Sequence, residues 1–421
     1  MTTVYLKTHK EESLLRFHPW VFSGAIRSIQ LDADYPYAQP QEGEVVQVLD
    51  SNGKILGVGH YQIGSIAVRI LAFGVSELPA DFWQERIRAA YEVRRSLGLI
   101  TLETENCQLR TENYQLKTEN CNNTYRLVHG EGDFLPGLIV DVYADTAVIQ
   151  AHSIGMHCHR MEIAEAIIQS VPQVDKVYYK SDDTLPHKAP IQGERVGYLI
   201  GAEKADFNGD FWAKENGLDF RIDWLRGQKT GFFIDQRDNR ALLEHYAQGK
   251  EVLNMFCYTG GFSVYALRGG AKLVHSVDVS QKAIDLVRSN VAHNFGEHAP
   301  HEAFAEEAFE FLAKNQSKYD LIVLDPPAFA KHRDAVKNAL RGYQRLNAKG
   351  IQSIRPGGIL FTFSCSQAID KDMFRLAVFS AAAQVGRKVR ILHQLHQPAD
   401  HPINIYHPEG EYLKGLVLQV E

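Results

Sequence analysis

The stretch VLNMFCYTGGFS at residues 252–263 decides the fold. A short apolar run leads into a turn with two adjacent glycines, Gly260 and Gly261, and helical spacing follows. Glycine there allows positive φ and close approach of a ligand to the backbone. A strand that passes through such a turn into a helix is typical of doubly wound sheets. The stretch is no GxGxxG and lacks the lysine of a phosphate loop, so it does not indicate a nicotinamide or nucleoside triphosphate site.

The sequence around this stretch alternates between strand and helix patterns. Strands are predicted at 251–256, 273–278, 321–325, 358–363 and 413–420, and helices at 238–248, 261–268, 280–294, 305–314 and 334–353. Such alternation predicts an α/β fold with a mostly parallel sheet, and the unit spans residues 205–421. Ligands should bind where the strands end, at their carboxyl edge.

Two of these strands end in an acidic residue, and a further strand should end near the acidic pair of AFAEEAF at 303–309. Asp278 is placed to accept hydrogen bonds from ribose hydroxyls, and Glu306 or Glu307 could hold an adenine amino group. Asp325 and Pro326 of LIVLDPPAF should form a stiff lip for a substrate edge. The order of these motifs is similar to that of class I S-adenosylmethionine (SAM)-dependent methyltransferases, which implies SAM as cofactor. The predicted cofactor pocket comprises Phe256, Cys257, Tyr258, Thr259, Gly260, Gly261, Phe262, Ser263, Asp278, Val279, Glu306, Glu307, Asp325, Pro326 and Arg237.

A cysteine ends the strand that should lie beside the DPPAF strand. Cys365 in FSCS could be a small buried apolar residue, but its serine neighbours and its position at a strand end favour the ligand crevice. A thiolate there has a chemical use, because C5 of a pyrimidine is a poor nucleophile until a thiolate adds to C6. Asp325 is the candidate acid at N3 of cytosine. Cys365 and Asp325 are therefore the predicted catalytic residues.

The first half of the chain has a different organisation. Short apolar stretches at 45–49, 55–61 and 66–71 predict strands, so residues 1–75 should form a small β domain. Residues 76–204 predict an α+β domain with helices at 81–98 and 154–171, and no metal site is predicted at His152, His157 and His159. Inside this second domain, TENCQLR, TENYQLK and TENCNNT at 104–124 repeat every seven residues. A coiled coil needs more heptads with two apolar positions, so we interpret the repeat as a polar inserted loop, in which Cys107 and Cys121 match by duplication.

Six motifs across the chain resemble the ribosomal RNA large subunit methyltransferase I family: HPWVFSGAI at 18–26, HGEGDFLPGLIVD at 129–141, QKTGFFIDQRDNR at 228–240, NMFCYTGGFS at 254–263, DPPAF at 325–329 and FSCS at 363–366. The resemblance implies an N-terminal PUA RNA-binding domain, a central α+β domain and a Rossmann-like class I methyltransferase domain. It also implies formation of 5-methylcytosine in 23S ribosomal RNA, with Cys365 as the nucleophile.

Two departures accompany this resemblance. The acidic residue before AF in the third motif is usually aspartate in the family, and here it is Glu307, so the adenine partner stays open. Many other 5-methylcytosine enzymes carry a second cysteine after the proline, where this chain has Ala328. The acceptor of the C5 proton is therefore also open, with Lys331 and a water bound to Asp325 as candidates.

Composition limits what the partners can be. Apolar residues make up 45% of the chain and charged residues 23%, as in soluble globular proteins. The net charge is −6, whereas nucleic-acid binders usually carry an excess of basic residues. RNA binding must then depend on placed residues, for which the candidates are Lys7, His9, Lys10, Arg16, His18, Trp20, Lys229, Phe233 and Lys331. The phenylalanines of QKTGFF could equally pack under the sheet.

The predicted setting is the cytoplasm, with 23S ribosomal RNA or a large-subunit precursor as partner, no membrane and no metal; a homodimer is one option. Two other functions stay open from the sequence. Methylation of a guanine nitrogen would not need a thiolate, and an inactive RNA-binding assembly factor would not need SAM.

Overall fold

The computed structural model describes residues 1–100, 122–186, 193–205, 211–330 and 333–421. Their contacts divide the chain into two units. Unit 1 contains Met1–Asn216, Ile222–Phe232 and Ala399–Gly410, and unit 2 contains Gly217–Arg221, Phe233–Pro398 and Glu411–Glu421. The three domains at 1–75, 76–204 and 205–421 stay a prediction.

Unit 1 begins with a six-stranded sheet. Its strands are β1 (Thr3–Leu6), β2 (Trp20–Phe22), β3 (Ile26–Gln30), β4 (Val45–Leu49), β5 (Ile55–Tyr61) and β6 (Ile66–Phe73), in the order β2-β6-β5-β4-β1-β3, and helix α1 (Glu12–Leu15) follows β1. The predicted strands β4, β5 and β6 are confirmed. The sequence pattern did not reveal the other three, which have only three to five residues each.

A five-stranded sheet follows in the same unit. It contains β7 (Thr124–His129), β8 (Leu138–Tyr143), β9 (Thr146–Ala151), β10 (Lys176–Lys180) and β11 (Val196–Ile200), and its helices are α2 (Phe82–Ser96), α3 (Ile154–Cys158) and α4 (Arg160–Ser170). The prediction of one helix over 154–171 is wrong. The chain leaves helical geometry at His159 (ψ 16°), whose ring stacks on His60 with 5.1 Å between centroids.

Most of the heptad repeat lies outside the described residues, together with Cys107 and Cys121. Its last residues are described, and they correct the extent of the predicted loop. Thr124 already belongs to β7, and the buried amide of Asn122 donates to the Leu99 carbonyl over 2.6 Å.

Unit 2 contains the seven-stranded sheet, which follows β12 (Phe211–Glu215) and β13 (Leu218–Ile222) along the chain. Its strands are β14 (Glu251–Met255), β15 (Leu273–Asp278), β16 (His301–Ala305), β17 (Tyr319–Leu324), β18 (Ile354–Ser364), β19 (Val389–Leu395) and β20 (Lys414–Val420), in the order β16-β15-β14-β17-β18-β20-β19. The helices are α5 (Arg237–Tyr246), α6 (Gly261–Arg268), α7 (Gln281–Phe295), α8 (Ala308–Lys314), α9 (Val336–Ser353) and α10 (Lys371–Val385).

The mostly parallel α/β sheet is confirmed. Strands β16, β15, β14, β17 and β18 are parallel, whereas β20 pairs antiparallel with both β18 and β19. Strands buried on both faces, such as Leu321–Leu324 in β17, form the core with the apolar faces of the helices. Helix α10 and strand β19 were not predicted.

Candidate active site

Four segments of unit 2 meet at the carboxyl edge of the sheet. Because β14 pairs in parallel with both β15 and β17, the turn after Met255 lies beside Asp278 on one side and Asp325 on the other. Leu324 pairs with Thr362 of β18, so Cys365 lies beyond the same edge, next to the DPP segment. The topology thus brings together the turn after Met255, Asp278, Asp325 and Cys365. Their roles stay predictions.

The turn at residues 256–260 has an unusual backbone. Phe256, Tyr258 and Gly260 have φ angles of 58°, 46° and 79°, in the left-handed region. A Cβ on Gly260 would lie 2.0 Å from Cγ2 of Val287, so only glycine fits against α7. The amide of Asn290 in α7 donates to the Thr259 carbonyl over 2.8 Å and holds the turn. Non-glycine residues in this conformation cost free energy and are concentrated at functional sites.

The acidic residues have different surroundings. Asp278 accepts hydrogen bonds from the Tyr258 amide (3.2 Å) and the Ser280 amide (2.9 Å), which leaves carboxylate lone pairs for ribose hydroxyls. Glu307 caps α8 by accepting from the Glu310 amide at 3.0 Å, and Glu306 forms an ion pair with Lys314 at 3.2 Å. Both glutamates thus have structural partners, and their contact with adenine stays a prediction.

These residues suit SAM in the kind of group each presents. Asp278 offers a carboxylate for the ribose, and Val279 is 74% exposed beside it as an apolar surface. Arg237 is buried at the first position of α5. Its place in the cofactor pocket stays a prediction. Phe262 and Ser263 are buried within α6, and the Ser263 hydroxyl bonds to Ser276, so their predicted contacts with the methyl donor also stay predictions.

The ends of β17 and β18 carry an acid and a thiol. Asp325 is partly buried, and its Oδ2 accepts from Nε2 of Gln236 over 3.0 Å. The Asn239 amide donates to Oε1 of that glutamine at 2.7 Å, which fixes its orientation. The thiol of Cys365 is partly exposed and donates a weak hydrogen bond to the Pro326 carbonyl, with 3.9 Å between sulfur and oxygen. The thiol therefore faces the DPP lip.

The other cysteine at this edge is unsuited to nucleophilic chemistry. Cys257 is buried, and burial and then the negative charge of Asp278 raise the pKa of its thiol far above the ordinary value. A thiol is nucleophilic only as thiolate, so Cys257 stays inert. Cys365 is the reactive candidate among the cysteines that the structure describes.

A lysine that the sequence prediction missed lies behind Cys365. Lys414, opposite Ser364 in the register of β18 and β20, is buried, and its Nζ donates to the carbonyls of Ser366 (2.8 Å) and Ile369 (2.6 Å). Burial lowers the pKa of Lys414 to about 8, partly offset by attraction to Cys365. A lysine among the apolar residues of YLKGLVLQV was the available signal.

A second contact fixes the same segment. The Ser366 hydroxyl bonds to the Tyr343 hydroxyl over 2.9 Å and accepts the Ala330 amide at 3.2 Å. Tyr343 lies on the buried face of α9, so this helix, the loop after DPP and the segment after Cys365 are connected.

Comparison with known proteins supports this description. A family model for S-adenosylmethionine-dependent methyltransferases matches residues 205–410, and a model for PUA-like domains matches residues 4–73. The ribosomal RNA large subunit methyltransferase I of Tolumonas auensis is 38% identical over 99% of both chains, and that of Aeromonas hydrophila is equally similar.

The chain belongs to the ribosomal RNA large subunit methyltransferase I family. It is thus a SAM-dependent methyltransferase that begins with a PUA-like domain, and the predicted fold class and cofactor are confirmed. Among solved structures, a candidate SAM-dependent methyltransferase from Streptococcus mutans shares the fold, with a TM-score of 0.78, 22% identity and coverage of 100% of each chain.

The structure shows where the predicted RNA-binding residues of the PUA-like domain lie. Lys7, Lys10 and Arg16 are exposed, with Lys7 donating to the Gly24 carbonyl and Arg16 paired with Glu12. The Trp20 indole is less available, because its N–H donates to Glu131 over 2.9 Å. His9 is exposed and His18 is partly buried. All of these roles stay predictions.

Two of the remaining RNA-binding candidates belong to different units. Lys229 is exposed in unit 1, and Phe233 of unit 2 packs edge-on against Tyr258 with 5.2 Å between ring centroids. That contact favours the structural interpretation of this phenylalanine. Lys331 lies outside the described residues.

One group of potential metal ligands occurs in unit 1. Ring nitrogens of His18 and His407 and a carboxylate oxygen of Glu409 lie within 4.8 Å of one another. Nδ1 of His18 accepts the Trp20 amide at 3.2 Å, so a neutral His18 ring carries its proton on Nε2, the atom nearest Glu409. A metal ligand needs that lone pair free of its proton, so this hydrogen bond opposes a metal there. The predicted absence of metal stays a prediction.

Proposed function

We propose that this protein methylates C5 of a cytosine in 23S ribosomal RNA, with Cys365 as a covalent nucleophile. The observation that carries the proposal is the partly exposed Cys365 thiol, 3.9 Å from the Pro326 carbonyl and at the same sheet edge as Asp325. Methylation of a base nitrogen would need no thiol at that position, since the nitrogen lone pair can attack a sulfonium methyl directly.

The proposed chemistry begins with addition. The Cys365 thiolate forms a bond to C6, the electron pair of the C5–C6 double bond shifts to C4–C5, and the C4–N3 pair moves onto N3, which takes a proton from Asp325. Bound SAM supplies an electrophilic methyl group, which the electron-rich C5 accepts. Loss of the C5 proton to a base then restores the C5–C6 double bond and expels the thiolate, and N3 returns its proton to Asp325, so both Cys365 and Asp325 are regenerated.

Each side chain has a supporting contact for its role. The ammonium group of Lys414 favours the thiolate form of Cys365 through charge attraction. The amide of Gln236 holds the Asp325 carboxyl group toward the crevice. Asp278 and the turn at 256–260 hold the methyl donor.

The partner and setting belong to the same proposal. Relatives carry the name ribosomal RNA methyltransferase, so the substrate is RNA, and we infer 23S ribosomal RNA or a large-subunit precursor in the cytoplasm. None of the helices in the described part of the chain has the length and apolar character to cross a membrane. A homodimer stays a prediction.

The test compares Cys365→Ala with Cys158→Ala, which changes an exposed cysteine of unit 1. We expect wild type and Cys158→Ala to form 5-methylcytosine in transcribed 23S ribosomal RNA, measured by mass spectrometry of nucleosides. Cys365→Ala should lose at least about 10³-fold in rate, because without the adduct C5 cannot attack. It should still bind SAM by calorimetry.

A second measurement detects the adduct itself. RNA containing 5-fluorocytidine should trap the wild-type enzyme in a complex that survives denaturation, because fluorine cannot leave C5 as a proton does. Methylated guanine formed equally by Cys365→Ala would replace the proposal with nitrogen methylation. An inability of the wild type to bind SAM would indicate an inactive assembly factor.

A further inference from the structure

Helix α9 has a charge pattern that the methyl-transfer site does not explain. It carries Lys337, Arg341, Arg345 and Lys349 but no Asp or Glu, in a chain whose net charge is −6. Residues four apart are separated by about 6 Å along a helix and rotate by about 40° around it. These four cations therefore form one slowly winding row, which we call the α9 stripe.

The stripe lies on the solvent side of the helix. Lys337, Arg341 and Arg345 are exposed and Lys349 is partly exposed, whereas the apolar face of α9 packs into the core. Within the described part of the chain, none of the four cations takes part in an ion pair. Arg345 lies over the ring of Phe309, 5.6 Å from its centroid, which restricts the side chain and reduces the entropy that binding would cost.

Helix α2 of the same chain has the mixed charge pattern that is usual for a solvent-exposed helix. Two of its four arginines pair with acids one turn away, Arg88 with Glu85 (2.7 Å) and Arg95 with Glu92 (3.1 Å). Mixed charges of this kind are typical of a solvated helix surface. A row of four cations without acids repels itself, and this favours a function that needs the positive charge.

The stripe is also connected to the catalytic segment. Because β17 and β18 are parallel, the helix between them starts at the carboxyl edge of the sheet, so Lys337 is the stripe residue closest to that edge. On the opposite face of α9, the Tyr343 hydroxyl bonds to Ser366, the residue after Cys365, over 2.9 Å. A strand bound along the stripe would therefore be held in a fixed relation to the thiol.

We propose that the α9 stripe binds the phosphate backbone of the RNA strand whose target base enters at Cys365; the identity of that strand rests on the proposed function. A row of regularly spaced cations matches a strand that presents one negative charge per nucleotide. Guanidinium groups bind phosphate oxygens in a bidentate manner, as Arg341 and Arg345 could. Such contacts set the position of the RNA but carry no sequence information.

The test neutralises the middle of the stripe. Arg341→Gln with Arg345→Gln should weaken binding of a transcribed 23S ribosomal RNA fragment about tenfold, measured by filter binding at several salt concentrations. The slope of log affinity against log salt should fall by about 1.4, since each phosphate contact on a single strand contributes about 0.7. The KM for RNA should rise, while SAM affinity and the thermal midpoint should not change.

The matched control removes two cations elsewhere. Arg88→Gln with Arg95→Gln in α2 makes the same change in net charge and should leave RNA affinity within twofold. Arg341→Lys with Arg345→Lys should recover most of the affinity. Unchanged affinity and salt slope in the first variant would overturn the inference, and an equal loss in the α2 control would assign the effect to total charge. These are binding measurements, so they hold even if the methylated position is not C5 of cytosine.

Discussion

At the scale of single residues, Lys414 decides how reactive Cys365 can be. Its buried ammonium group bonds to the carbonyl of Ser366, the residue after Cys365, and burial lowers the pKa of Lys414 to about 8. Below that pH the ammonium form predominates and attracts a thiolate. We expect Lys414→Met to raise the pKa of the Cys365 thiol by about one unit or more, because a neighbouring cation is lost.

The pH profile of alkylation by iodoacetamide measures this, with the Cys365 peptide identified by mass spectrometry. Lys414→Arg retains the charge and should retain the profile, provided that the arginine fits the site. If Lys414→Met gives the wild-type profile although SAM binding shows that it is folded, the lysine only supports the segment through the Ser366 and Ile369 carbonyls.

At the scale of elements, the inserted repeat should be separable from the fold. Its flanks already meet, since the Asn122 amide donates to the Leu99 carbonyl over 2.6 Å. Deleting residues 104–121 should therefore change the thermal midpoint by no more than about 2 °C, because shortening a closed polar loop changes little free energy. Extending the deletion through Thr124 removes a buried residue of β7 and should lower the midpoint clearly. A large loss from the shorter deletion would show that the repeat is a packed element.

Elements were predictable from sequence where periodicity was strong and contacts were local. The strands ending at Asp278 and Leu324 and the helix after the glycine turn follow from apolar runs and turn residues, and so does the meeting of Asp278, Asp325 and Cys365 at one edge. The break at His159 was not predictable, because it accompanies stacking on His60 of another element. Nor was Lys414, whose partners are carbonyls more than forty residues away in the chain.

At the scale of the whole molecule, segments far apart in sequence belong to one unit. Contacts between such segments cannot be predicted from local sequence patterns. Residues Ala399–Gly410 belong to unit 1 although unit 2 surrounds them in the chain. Buried Arg94 illustrates the consequence, since it pairs with Asp133 and donates to the Asp400 carbonyl over 2.7 Å. The stability of unit 1 thus depends on contacts between buried polar groups that are far apart in the sequence.

Acid should destabilise unit 1 through one such group, His60. Its ring is 2% exposed, stacks on Trp83 and His159, and has no hydrogen bond to any described residue. Burial lowers the pKa of His60 to about 3, with the charges of His159 and Arg69 adding to this. In the unfolded chain the pKa of this histidine is about 6.5. Between pH 6.5 and pH 3 the unfolded chain therefore binds a proton that the folded chain does not bind, so stability falls as the pH falls through this range.

Through His60 alone, the free energy of unfolding should be about 2 kcal/mol lower at pH 5 than at pH 7, since each pKa unit corresponds to 1.36 kcal/mol. His60→Phe keeps a flat ring but cannot titrate, so its free energy of unfolding should decrease less than that of the wild type between pH 7 and pH 5, measured by urea unfolding at each pH. His298→Gln, which changes an exposed histidine, should behave like the wild type. An equal decrease in His60→Phe would mean that the acid sensitivity arises from other groups.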